Sequence, residues 1–128
     1  MSEGIHTSLQ QEQGGVSFLG NAFVRNFLIS SGVLLCVGWG ILLYFIQSRE
    51  TPIILHYNVY FGVDLLGAWW QAYLLQGVAT LLFVCHVVLS RFFYQHNDRF
   101  ASYILLLATN FVLFGVAIAS ASIAFINY

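Results

Sequence analysis

Residues 26–48, 65–90 and 100–128 contain no Asp, Glu, Lys or Arg. Three uncharged stretches of that length leave few folds open. Soluble domains carry about 25% charged residues, whereas here 7% are charged and 59% hydrophobic. About 20 apolar residues in a helix cross a hydrocarbon layer of about 30 Å. In lipid every backbone polar group must bond within the protein, which makes the helix the expected solution. The chain reads as an all-α integral membrane protein with three transmembrane helices, over about 22–47, 65–90 and 100–126. Together they form one membrane domain, residues 22–128. Residues 1–21 are polar and rich in Gln, Gly and Ser, and read as a mobile N-terminal tail. The tail has no basic start followed by an apolar core, so it does not read as a secretory signal peptide.

The first connection is the richest in chemistry. Pro52 disfavours helix at Thr51, so the first span ends by about Glu50. Ile53 to Phe61 is rich in β-branched and aromatic residues, which predicts an extended aromatic loop, as a strand or a hairpin-like cap. Asp64 stands just before the second span, where a carboxylate suits a helix N-cap. In that reading Asn58 closes a turn and His56 bonds across the loop. The competing reading gathers His56, Tyr57, Asn58 and Asp64 into a site for a ligand headgroup or cation. One histidine with one carboxylate and an amide is a poor metal set, so no metal is expected. The second connection, "RFFYQHNDRF", is short enough to force an antiparallel helix pair.

Arg25, Arg91 and Arg99 fall on one side of this layout and Arg49 on the other. By the positive-inside rule the N-terminus and the second connection are cytoplasmic. The first loop and the C-terminus are then extracytoplasmic. Trp69, Trp70 and Tyr73 at one end of the second span, and Phe92, Phe93 and Tyr94 at the other, suit headgroup depth.

Within the spans, Gly32, Cys36 and Gly40 recur every four residues, and Gly115 opens a second run of small residues. Such rows let helices approach closely in lipid and favour self-association or partner subunits. Cys36 and Cys85 read as small buried hydrophobes. Gln76, Thr80 and Asn110 lie near mid-membrane, and similar depth pairs Thr80 with Asn110 as helix glue. His86 lies near the cytoplasmic interface. It reads as a neutral histidine bonding a neighbouring helix, or else as a haem or quinone ligand. The spans hold no second histidine, so a haem would need a partner's ligand, and no cofactor is expected in this chain alone. No mid-span carboxylate supports a proton-coupled pump. No nucleophile elbow, Walker loop or HExxH motif supports an enzyme. Near-neutral net charge argues against nucleic acid.

The loop Leu55, His56, Tyr57, Asn58, Tyr60, Phe61, Gly62, Asp64 and Gly67 resembles a signature, L-H-Y-N-x-Y-F-G-x-D-x-x-G. It belongs to small three-span bacterial membrane proteins of uncharacterised activity. The resemblance covers most of the chain and implies a layout, not a chemistry. The order His56, Tyr57, Asn58, Asp64 is also similar, more weakly, to a domain of unknown function in immunity proteins against a secreted killing peptide. There the glycine falls one residue earlier than Gly62 and a proline lies nearer the histidine than Pro52. That likeness implies an envelope role. The leading expectation is a non-enzymatic accessory, scaffolding or interaction subunit in the bacterial inner membrane. The alternatives are a cofactor-bearing anchor using His86, or an envelope ligand- or peptide-binding or immunity-type protein using the His56–Asp64 loop.

Overall fold

A computed structural model describes residues 16–128. The expected tail lies mostly in residues 1–15, outside the described residues. The elements are α1 (Ala22–Phe45), β1 (Ile53–Asn58), β2 (Gly62–Gly67), α2 (Gln71–Gln95) and α3 (Arg99–Asn127). All three helices are long and apolar enough to cross a membrane. At 1.5 Å per residue the shortest spans about 36 Å.

The helix ends have local causes. Asn21 caps α1, its side-chain oxygen accepting from Phe23 N at 2.9 Å and Val24 N at 3.4 Å. At its far end Ile46 turns extended, and Tyr73 of α2 donates its hydroxyl to Ile46 O at 2.6 Å and Leu42 O at 3.3 Å. Carbonyls that a helix C-terminus leaves unpaired are thereby satisfied. Between α2 and α3 the chain reverses in three residues. Asn97 takes φ 64°, Asp98 N bonds Phe93 O at 3.0 Å, and Asp98 then caps α3 by accepting from Ala101 N at 3.1 Å. Asparagine is among the few side chains that tolerate this left-handed position.

The second span begins later than the sequence predicts, at Gln71 and not near residue 65. Gly62–Gly67 is instead a strand, paired antiparallel with β1 from Ile53↔Gly67 to Asn58↔Gly62. Pairing with a β-branched and aromatic partner outweighs the helical preference of Leu65 and Leu66. Asp64 is therefore mid-strand and caps no helix. The residue before α2 is Trp70, which makes no side-chain cap bond.

Inside the bundle, α3 packs along both α1 and α2. Apolar clusters fill three levels: Val24 with Tyr94 and Leu106; Leu35 with Ala79 and Leu113; Leu42 and Ile46 with Ile53 and Ala72. Polar side chains are buried between them. Ser90 bonds Ser102 at 2.7 Å, and His86 Nδ1 bonds Thr109 Oγ1 at 2.8 Å. Asn110 donates to Ser31 Oγ at 2.9 Å and Phe27 O at 3.2 Å, and accepts from Ser30. Gln76 donates to Leu35 O at 3.3 Å and accepts from Ser120 at 3.3 Å. Among the described residues no buried side-chain N or O lacks a partner.

Within the single chain the helices pack through residues other than those of the small-residue rows that the sequence singles out. Cys36, Gly40 and Gly115 are exposed, and a Cβ placed on Gly32, Gly40 or Gly115 meets nothing within 4 Å. The glycine that permits close approach is Gly38, where a Cβ would lie 2.7 Å from Gln76 Oε1. Thr80 and Asn110 do not meet: the pairs His86–Thr109 and Gln76–Ser120 set a register that leaves them more than one helical turn apart. Each bonds α1 instead, Thr80 accepting from Trp39 Nε1 at 3.1 Å and Asn110 donating to Ser31 Oγ at 2.9 Å. Cys36 and Cys85 are free and exposed on the outer face, not buried.

Candidate functional site

The hairpin is the part of the chain that stands outside the helical bundle. Its base is anchored. Ile53 is buried against Leu42, Ile46 and Ala72. Asn127 of α3 clasps Ile54, accepting from its N–H at 2.8 Å and donating to its carbonyl at 2.6 Å. An Asn side chain thus substitutes for a neighbouring strand on the outer edge of β1, the edge a sheet otherwise leaves open.

Further out, the ladder carries an irregularity on each strand. His56 pairs with Leu65 and Tyr57 with Val63, so Leu55 and Asp64 have no register partner. The irregular ladder brings His56 Nδ1 to 2.7 Å from Asp64 Oδ1. The pair is open to solvent, with side-chain exposures of 62% and 42%. Asn58 is not part of it. Its oxygen accepts from Tyr60 N at 2.9 Å and closes the turn, with Gly62 supplying the positive φ of 80°. Tyr57 is exposed beside them. Among the described residues no three His, Cys, Asp or Glu side chains gather as a metal site.

The tip is apolar, and the sequence reading of Tyr57, Tyr60 and Phe61 as interfacial aromatics falls on and beside it. Val59, Tyr60 and Phe61 are 85%, 90% and 85% exposed, three consecutive apolar side chains held outward by an ordered turn. The signal was in the sequence, as an aromatic run closed by Asn58 and Gly62.

His86 is placed differently. It is half-buried within the bundle, and Thr109, which holds its Nδ1, also donates to Leu105 O at 2.7 Å. The sites named from sequence therefore fall in three separate places. His56, Tyr57, Asn58 and Asp64 are in the hairpin. His86 is bonded between α2 and α3, and Gly32, Cys36, Gly40 and Gly115 lie on outward-facing surface. No protein-family profile, curated protein or solved structure matches the chain.

Proposed function

We propose that this chain is a non-enzymatic multi-pass protein of the bacterial inner membrane that acts by interaction. It is an accessory or scaffolding subunit, and its hairpin tip is the recognition element. The observation that carries this reading is the outward display of Val59, Tyr60 and Phe61 on a hairpin fixed at its base by Ile53 and Asn127. An exposed apolar cluster on an ordered support is what partner surfaces use as an anchor. Orientation rests on arginine. Arg25, Arg91 and Arg99 lie at the bundle end opposite the hairpin, which supports an orientation with the hairpin and Tyr128 outside the cytoplasm.

The test uses a photo-crosslinking amino acid at position 60 in cells making the full chain. A discrete protein adduct, whether a second copy or another envelope protein, is the expected result. Adducts confined to lipid would overturn the reading. Tyr60→Cys should also label with an impermeant thiol reagent in intact spheroplasts, in a background where Cys36 and Cys85 are Ser. Labelling only after lysis would reverse the orientation.

A further inference from the structure

A cleft of about 600 Å³ opens at the bundle end away from the hairpin, where the Val16–Leu19 segment crosses α1 and α2. Its chemistry is two-sided. Arg91, Arg99 and Gln95 line one part, while Leu28 of α1 and Val87 of α2 line the part that runs toward the apolar body.

The polar part is constructed, not incidental. Tyr94, only 7% exposed, donates its hydroxyl to Val16 O at 2.8 Å, and Phe18 meets its ring edge-on at 5.4 Å. The Arg99 guanidinium sits over the same ring, 5.4 Å from its centre. A ring contact orients a guanidinium without neutralising it. Among the described residues the one ion pair is His56 with Asp64, at the other end of the molecule. Asp98, the acidic residue nearest in sequence, is engaged in capping α3. Among the described residues, two arginines thus share one cleft without an acidic partner, in a chain that has only four arginines.

We propose that this cleft binds an anionic phospholipid. Its phosphate lies between Arg91 and Arg99 with Gln95 as an amide donor, and an acyl chain follows Leu28 and Val87. Guanidinium matches phosphate oxygens by paired hydrogen bonds, and basic pockets between helices at the cytoplasmic side suit anionic lipid headgroups. A soluble phosphate would satisfy the arginines and leave the Leu28 and Val87 surface unfilled. The presence of both surfaces in one cleft selects the lipid.

The test is binding of spin-labelled phosphatidylglycerol to the purified full-length chain in neutral detergent, with phosphatidylcholine and inorganic phosphate as comparison arms. Phosphatidylglycerol should bind and phosphatidylcholine should not compete. Arg91→Gln and Arg99→Gln should each weaken binding about tenfold or more, as loss of a charged hydrogen bond implies. Arg25→Gln removes a charge at the same bundle end but outside the cleft, and should cost no more than about fivefold. Val87→Trp, which fills the apolar part and touches no charge, should also weaken binding. Equal competition by phosphatidylcholine would overturn the proposal. So would equal losses for Arg25→Gln and Arg91→Gln, which mark diffuse attraction. Full displacement by millimolar inorganic phosphate, with Val87→Trp unchanged, would identify a soluble anion site instead.

Discussion

The three helices and the hairpin dispose of their polar groups in opposite ways. In the helices Ser31, Gln76, Ser90, Ser102, Thr109 and Ser120 are fully buried, while valine, leucine and phenylalanine cover the outside. In the hairpin Ile53 is buried and His56 and Asp64 face outward. Surroundings explain the difference. A helix in hydrocarbon has no water to satisfy a serine, so its hydroxyls turn inward to one another or to backbone carbonyls. The hairpin, with backbone groups paired across two strands and clasped by Asn127, leaves His56 and Asp64 bonded to each other and open to water. The tip departs from both patterns, since Val59, Tyr60 and Phe61 are apolar and face out of the molecule. Stability and display are therefore housed apart: the bundle uses its polar groups to hold together, and the hairpin tip contributes little to holding it.

The sharpest way to break that contrast is to swell the bundle interior. Gly38→Leu must displace Gln76 and is expected to cost about 1–3 kcal/mol. Gly40→Leu faces open space and should fall within about 0.5 kcal/mol. Unfolding in detergent by added dodecyl sulfate measures both, and equal losses would show that α1 is rotated from the orientation described. If Gly40→Leu instead leaves monomer stability intact but abolishes a self-associated form, the outer small-residue face is covered by another chain.

Separating the hairpin from the bundle is the next largest effect. Asn127→Leu removes both bonds to Ile54 and should cost about 1–2 kcal/mol, with faster hydrogen exchange at the Ile54 amide and no loss of helix content. Unchanged exchange at Ile54 would mean that Ile53 alone anchors the strand. His86→Phe follows, at about 0.6 kcal/mol for a typical interhelical bond and no more than about 2. A loss well beyond that, together with a lost visible absorption band, would reveal a cofactor ligand. The smallest change belongs to the hairpin surface. Asp64→Ala and Asp64→Asn should be equivalent, each within about 1 kcal/mol, because an exposed ion pair contributes little. A marked advantage of Asn over Ala would restore the helix cap that the strand replaces.

Three helices were legible because they rest on length and hydropathy, and α1 and α3 lie within two residues of expectation at each end. The start of α2 was not, since Leu65 and Leu66 suit a helix or a buried strand equally well. Only their pairing with Ile54 and His56 decides between them. The polar contacts show a subtler limit. Position along a helix gives depth only to within a turn or so, and the register set by His86–Thr109 and Gln76–Ser120 leaves Thr80 and Asn110 at different levels. Direction around the axis needs an amphipathic stripe, and these helices are apolar on nearly every side. The regular Gly32, Cys36, Gly40 row therefore stands out in the sequence, while the face packed within the chain is formed by Ser31, Leu35, Gly38 and Leu42. In the hairpin His56 and Asp64 were recognised as neighbours in the chain, but the irregular ladder that joins them depends on register, which no motif reports.

The clasp between Asn127 and Ile54 joins residues 73 apart in the chain. During synthesis at about 5–20 residues per second, Ile54 precedes Asn127 by roughly 4–15 s. Through that interval the outer edge of β1 has no partner, and a bare strand edge is the feature of a nascent protein most apt to pair wrongly. The vulnerable species is accordingly the chain with two helices made and the third still to come. Packing of α3 against α1 and α2 both completes the bundle and closes that edge, so one step assembles the helices and protects the hairpin.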